Sequence, residues 1–207
     1  ALALGGYLAL RHYEEGLPSS QSLKSYNPLQ VTRVLARDGQ LLGELFVERR
    51  TLVPIEGIPS QMKLAALAAE DASFYEHDGL NYVGLVRALL VNLRGGRTRQ
   101  GGSTITQQVI KNVLLTPERT VDRKAREMIL ARRIESELSK DEILELYLNQ
   151  IYFGHGRYGV EEAAHLYFGK RVRDMTLAEE FVKYLIRDAK THCAADLEFF
   201  GKFEIGR

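Results

Sequence analysis

The chain of 207 residues is 45% hydrophobic, 27% charged and 9% aromatic, a composition that fits a globular domain with one sizeable core. It has 28 Lys and Arg against 27 Asp and Glu, and the formal net charge of +1 argues against binding of nucleic acid through overall charge. The single cysteine, Cys193, excludes an intrachain disulfide and a cysteine-based zinc cluster.

The first segment, residues 1–10, is apolar, and charge begins at Arg11. As a helix it would rise about 15 Å, roughly half the thickness of the hydrocarbon core of a bilayer. Arg11, Tyr7 and Tyr13 suit the interfacial end of a spanning helix, so we interpret residues 1–13 as the remnant of an N-terminal membrane anchor. A short buried helix or the apolar part of a signal peptide is the alternative.

Residues 14–57 form a leader that combines a linker and a β element. The part from Leu17 to Pro28 is rich in Ser, Pro, Asn and Gln and predicts a linker. Two β-prone runs, 31–37 and 40–47, flank the turn pair Asp38-Gly39 and predict a hairpin.

Helices are predicted for most of the remaining chain. A nearly all-apolar helix follows Pro59 and ends at Glu70-Asp71. Apolar residues at three- and four-residue steps predict an amphipathic helix over about 79–94, whose apolar side chains suit either the core or contact with lipid. Further helices are predicted at about 104–115, 118–139, 140–152, 159–168 and 176–189, which makes the fold class mainly α.

The sequence does not match three common patterns of functional residues. Gly102 stands where the lysine of a phosphate-binding loop must be, and the five histidines show no spacing that suits zinc. Ser60 and Lys63 have the Ser-x-x-Lys spacing of penicillin-reactive enzymes, but no Lys-Thr-Gly follows.

Three groups of polar residues remain as candidates, each with a plainer alternative. Glu70 and Asp71 end an apolar helix, where a partly desolvated carboxylate becomes a usable proton acceptor, although a solvated helix end is equally consistent. Ser103 and Thr104 precede a helix whose first amides suit an anion, or simply cap that helix. A basic set suits a diphosphate or forms a solvated face: Lys111, Arg119, Arg123, Lys124 and Arg126.

Glu127 adds a second carboxylate. It shares one helix face with Arg123, Ala131, Ile134 and Leu138, so it continues a stripe that is apolar further along. Enzymes that make or break glycosidic bonds commonly use a pair of carboxylates, here from separate helices. Neighbouring cations suit the related reaction in which the leaving group of the sugar is a phosphate.

With these residues the sequence resembles the peptidoglycan glycosyltransferases of glycosyltransferase family 51, found in class A penicillin-binding proteins and monofunctional transglycosylases. Four ordered motifs carry the resemblance, at 70–79, 102–112, 123–127 and 140–149 with Gly154. The leader through Arg49-Arg50 and 53–56 also resembles that of class A penicillin-binding proteins, so the likeness covers roughly 17–178.

The resemblance implies polymerisation of lipid II into β-1,4 glycan strands, with inversion and release of undecaprenyl diphosphate. Glu70 would be the base and Glu127 would assist and position. Lys111, Arg119, Arg123 and Lys124 would hold the leaving diphosphate. The other substrate-binding residues implied are Asp71, Phe74, His77, Ser103, Thr104, Gln107, Gln108 and Asn112.

The resemblance also implies a lysozyme-like helical lobe with a smaller jaw lobe next to the membrane, within a glycosyltransferase domain over 58–207. Its partners would be lipid II, the growing glycan strand and the cytoplasmic membrane, with the domain on the extracytoplasmic side and no nucleic acid. A divalent cation such as Mg²⁺ is a possible cofactor, without a decisive ligand set, and no organic cofactor is expected.

One part of the sequence departs from the family. From about residue 179 the chain lacks the fifth, arginine-containing motif and continues in unrelated-looking sequence. Two alternatives to synthesis therefore stay open: an inactive membrane-tethered module that binds lipid II or glycan, and a lysozyme-like enzyme that cleaves peptidoglycan. The basic set disfavours cleavage, since finished glycan carries no diphosphate.

Overall fold

The computed structural model describes residues 26–95, 102–115 and 120–176, together with Arg11, Tyr13, Leu17, Pro18, Leu23 and Glu118. Of the predicted anchor over 1–13, only Arg11 and Tyr13 belong to this part. The predicted helix at 176–189, apart from Thr176, and the divergent segment from 179 lie outside it. So does Arg119.

The described chain is mainly helical, as the sequence predicts. Its helices are α1 (Ser60–Glu70), α2 (Tyr82–Gly95), α3 (Ile105–Val113), α4 (Val121–Glu135), α5 (Lys140–Gln150) and α6 (Val160–Phe168). Short 3₁₀ turns lie at Ile55–Gly57, Phe74–Glu76 and Val172–Asp174. The strands are β1 (Thr32–Leu35), β2 (Leu41–Leu45), β3 (Arg49–Arg50), β4 (Tyr152–Gly154) and β5 (Arg157–Tyr158).

Local capping fixes where the central helices begin. Thr104 and Ser139 form capping boxes with Gln107 and Glu142, so two otherwise unpaired groups are satisfied at each start. Thr120 caps α4 by accepting from the amide of Arg123 at 3.1 Å. The capping boxes are encoded within four residues, and the predicted starts of α3 and α5 agree closely with the structure. The start of α4 is at Val121 and not at the predicted residue 118.

The core lies where α3 packs against α4 and α5. Ile143, Leu144 and Leu148 of α5 are fully buried, as are Leu130 and Ile134 of α4. Burying each such side chain contributes about 1.5–3 kcal/mol. Glu127 lies on the same buried face of α4, so the predicted stripe is confirmed.

The strands form two small sheets. β1 and β2 pair antiparallel as the predicted hairpin. The second sheet, in the order β3-β5-β4, was not predicted: β3 of the leader pairs in parallel with β5, and β5 pairs antiparallel with β4. The predicted helix at 140–152 therefore ends at Gln150, because Tyr152 enters β4.

Side chains of α5 and α6 fix the leader to the helical body. Asn149 of α5 accepts from the amide of Val53 at 3.0 Å and donates to its carbonyl at 2.9 Å. Glu145 accepts from the amide of Ile55 at 2.7 Å. Glu162 of α6 binds Arg49 at 3.3 Å. The leader is thus part of the folded unit in the described region.

The α2 helix presents an apolar face to solvent. Val83, Val86 and Leu90 are 81%, 57% and 48% exposed, whereas Ala88 is buried. Packing in the core, one of the two interpretations of this helix, is therefore wrong for these three side chains. No described helix combines the length and apolar content needed to cross a bilayer.

Candidate active site

Two cavities of similar size adjoin α3, one at the start of the helix and the other at its end. The first, here called the carboxylate cavity, has a volume of about 1020 Å³ and is lined by residues that include Glu70, Asp71, His77, Ser103, Thr104 and Gln108. The second, the cationic cavity, has a volume of about 980 Å³. Its lining includes Arg50, Lys111, Asn112, Arg123 and Lys124, with Glu48, Tyr152 and Tyr158.

Glu70 stands at the last position of α1 and borders the carboxylate cavity. Glu70 is partly buried, and its Oε2 accepts from the side-chain nitrogen Nε2 of Gln108 at 2.8 Å. Gln108 sits one turn into α3, so this bond joins the first sequence motif to the second. The carboxylate is oriented by a neutral donor and still borders open space.

The side chains of Asp71 and His77 bind each other. Asp71 is buried, and its Oδ2 lies 2.9 Å from Nε2 of His77 and accepts from the amide of Ile105 at 3.2 Å. The first amide of α3 is therefore bound by an internal carboxylate. Thr104 accepts from the amide of Gln107 at 3.2 Å, which confirms the capped-helix interpretation of this segment.

Phe74 and Gln107 lie in the core and not on the lining of either cavity. The Phe74 ring is fully buried, with the Lys140 ammonium 4.4 Å from its centre. Gln107 is also fully buried, and its side-chain carbonyl accepts from the main-chain amide of Thr104 to complete the capping box. Both side chains support the loops that shape the cleft.

Glu127 is buried and binds two cations that line the cationic cavity. Only 2% of its side chain is exposed, Oε2 accepts from Arg123 at 2.7 Å, and Oε1 binds Lys124. Lys124 also donates to Ser103 of the carboxylate cavity at 2.9 Å while it lines the cationic cavity. The second and third motifs thus meet through one ammonium group.

The cationic cavity combines positive charge with phenol groups. Lys111, Arg123 and Lys124 come from α3 and α4, whereas Arg50 and Glu48 come from the leader. The pKa of Tyr158 is raised, chiefly by burial and then by Glu48 and Tyr152, while Arg50 opposes the rise. Several cations in one concave space suit a ligand with more than one negative charge.

The loop of the first motif approaches α4 closely, and this approach depends on one glycine. Gly79 has φ of +85°, and a Cβ there would lie 2.7 Å from the carbonyl oxygen of Ala131 in α4. The Thr104 hydroxyl donates to the Gly79 carbonyl at 2.7 Å. The loop of the first motif is thereby fixed against α3 and α4.

Two arginines that line the cavities have no role in the sequence analysis. Arg87 of α2 lines the carboxylate cavity, and its signal was a cation in the middle of a largely apolar helix. Arg50 lines the cationic cavity, and its only signal was the charged run Glu48-Arg49-Arg50 in the leader. Neither could be assigned to a cavity before the fold was known.

Comparison with known proteins gives consistent matches. A family model described as Transglycosylase matches residues 38–192. Penicillin-binding protein 1A of Rickettsia conorii is 48% identical over 171 residues, which cover 81% of this chain and 22% of that protein. Penicillin-binding protein 1A of Aquifex aeolicus is 46% identical over 179 residues (86% of this chain, 25% of that protein).

The protein of the same name from Escherichia coli is 47% identical over 173 residues, which cover 84% of this chain and 20% of that protein. The chain thus spans a quarter or less of the length of these curated relatives. The match includes the leader from residue 38 and the lining of both cavities except Tyr26.

Proposed function

Since the chain belongs to the transglycosylase family, we propose that it is a peptidoglycan glycosyltransferase that polymerises lipid II into β-1,4 glycan strands. The observation that carries this proposal is the position of Lys124. Its ammonium binds Ser103 beside Glu70, binds Glu127, and lines the cationic cavity. A proton acceptor and a binding region for a polyanion are therefore contiguous.

Glu70 acts as the general base. The growing strand is the donor and lipid II is the acceptor, whose 4-hydroxyl gives its proton to Glu70 and attacks the anomeric carbon of the donor. The new C–O bond forms with inversion as the bond to the lipid diphosphate breaks, and the diphosphate leaves with the electron pair. Gln108 supports this role because it orients the Glu70 carboxylate.

The cationic cavity receives the diphosphate. Lys111, Arg123 and Lys124 line it and neutralise charge that grows on the leaving group in the transition state. Arg119 belongs to the same proposed set on sequence grounds alone. Glu127 positions Arg123 and Lys124, since both of its oxygens already accept from these cations.

Dependence on a divalent cation such as Mg²⁺ stays a prediction. Within the described residues, no group of three His, Cys, Asp or Glu side chains is placed to hold a metal ion. The side chains in that part of the chain therefore do not fit a protein-held metal site, and no step above is derived through one.

The helical body corresponds in this proposal to the lysozyme-like lobe, and α2 belongs to the jaw lobe that rests on the membrane. The exposed apolar side chains of Val83, Val86 and Leu90 support lipid contact, because an apolar face is costly to leave in water. Val83 also borders the carboxylate cavity, where a lipid-linked acceptor would enter from the bilayer. The domain would work on the extracytoplasmic side of the cytoplasmic membrane.

Incubation of the purified chain with labelled lipid II, followed by separation of the products by size, tests the proposal. Long glycan is the expected product. Shortened pre-formed glycan would support a lysozyme-like hydrolase instead, and unchanged lipid II would support an inactive binding module. The four ordered motifs and the cationic cavity favour synthesis over both.

A further inference from the structure

Arg50 of β3 is a nearly inaccessible arginine on the lining of the cationic cavity. Only 2% of its side chain is exposed, and Nη1 lies 3.0 Å from the Glu48 carboxylate. Nη1 also donates to the Leu29 carbonyl at 3.4 Å, and the guanidinium carbon lies 4.8 Å from the centre of the Tyr158 ring. Nε has no hydrogen-bond partner among the residues that the structure describes.

The stability of the fold does not account for a charge at this position. Moving a guanidinium out of water is costly, and replacement of a buried ion pair by apolar residues is often neutral or stabilising. Its carboxylate partner, Glu48, is 36% exposed, which weakens the attraction. The neighbouring Arg49, in contrast, fixes the leader to the body through Glu162.

We propose that Arg50 is a specificity-determining residue that makes the cationic cavity bind a diphosphate in preference to a monophosphate. This inference rests on the proposed function, in which a lipid diphosphate occupies that cavity. It adds a residue from the leader to a set of cations that otherwise comes from α3 and α4.

The cationic cavity has little uncommitted positive charge apart from Arg50. Arg123 and Lys124 already share their charge with Glu127, so Lys111 is left as the main uncommitted cation among the α3 and α4 residues on the described lining. These α3 and α4 cations suffice to bind one phosphate group. A second phosphate requires a further donor, and a guanidinium offers a fixed fork that matches phosphate oxygens.

The arrangement around Arg50 supports a fixed rather than a mobile donor. Parallel pairing of β3 with β5 places Arg50 next to Tyr158, and Glu48 restrains one terminal nitrogen. A side chain that is already ordered loses little conformational entropy when the ligand binds.

Calorimetric titration with farnesyl diphosphate and farnesyl monophosphate provides the test. For Arg50→Ala we expect affinity for the diphosphate to fall about tenfold, the loss typical of one charge-assisted contact, with little change for the monophosphate. Arg50→Lys should recover part of the preference because it keeps the charge but not the fork. Arg49→Ala is the matched control: it weakens the attachment of the same strand but lies outside the cavity lining.

Two results would overturn the inference. One is a wild-type chain that binds both phosphates equally well. The other is an equal loss of both ligands in Arg50→Ala and Arg49→Ala, which would reduce Arg50 to a structural role. If the wild-type chain prefers the diphosphate through Arg50 but does not polymerise lipid II, the proposed function fails and the inference on Arg50 stands.

Discussion

The two cavities are alike in volume and opposite in charge. The carboxylate cavity is bordered by three carboxylates and one arginine: Glu70, Asp71, Glu76 and Arg87. The cationic cavity is bordered by four cations and one carboxylate: Arg50, Lys111, Arg123, Lys124 and Glu48. Charge is separated over a short distance although the net charge of the chain is only +1. The proposed proton acceptor and the proposed anion-binding cations thus line different cavities.

The two carboxylates of the proposed site, Glu70 and Glu127, also differ in their surroundings. Glu70 is bound by the neutral Gln108 and borders open space, while Glu127 is 2% exposed and binds two cations. Removal of charge at each should therefore have different consequences.

Glu70→Gln should lower the rate of glycan synthesis about a thousandfold, the range typical of a lost general base, with little change in thermal unfolding. The amide keeps the shape of the side chain but does not take the proton. Polymerisation of labelled lipid II measures the rate. Glu137→Gln, which removes an exposed carboxylate outside both cavity linings, is the control. Substantial turnover in Glu70→Gln would exclude Glu70 as the base.

Glu127→Gln should reduce both activity and stability. Misplacement of Arg123 and Lys124 should cost about a hundredfold in rate. Loss of a buried charge between two cations should lower the free energy of unfolding by roughly 3 kcal/mol. Denaturant unfolding together with the polymerisation assay checks both values. A loss of rate with unchanged stability would instead give Glu127 a direct catalytic role.

Lys124→Ala should lower kcat/KM for lipid II about tenfold, because one charge-assisted contact to the leaving diphosphate is lost. Arg132→Ala removes an exposed cation of the same helix outside the cationic cavity and should leave kcat/KM unchanged. Initial rates over a range of lipid II concentrations separate KM from kcat. Unaltered binding and rate in Lys124→Ala would contradict the role of the cationic cavity.

The double change Val83→Ser and Val86→Ser should weaken binding to lipid vesicles about fivefold, because less apolar surface leaves water. Both side chains are exposed, so thermal unfolding should not change. Flotation with vesicles of anionic lipid measures the binding, and Val121→Ser, exposed at the start of α4, is the control. Equal binding of the double variant and wild type would remove α2 from the membrane contact.

The sequence predicts elements that depend on neighbouring residues better than elements that depend on distant ones. The starts of α3 and α5 follow from capping boxes within four residues. The predicted helix at 118–139 is too long, because the buried Leu138 continues the apolar stripe although α4 ends at Glu135. Strands β3 and β5 have two residues each and pair across the chain, so no local pattern reveals them.

The same limit applies to the cleft. Glu70, Ser103 and Lys124 are predicted as neighbours in function, and the structure brings their elements together. The sequence does not reveal that Asp71 and His77 bind each other, or that Arg50 from the leader reaches the cationic cavity. These contacts depend on which surfaces meet after folding, and a single sequence does not encode that information locally.

The attachment of Asn149 to Val53 has a consequence for how the leader can vary. Both hydrogen bonds use the main chain of residue 53, so they do not depend on its side chain. Substitution at this position should therefore leave both hydrogen bonds in place, with one exception. Proline has no amide hydrogen, and its introduction would remove one of the two bonds and loosen the leader from α5.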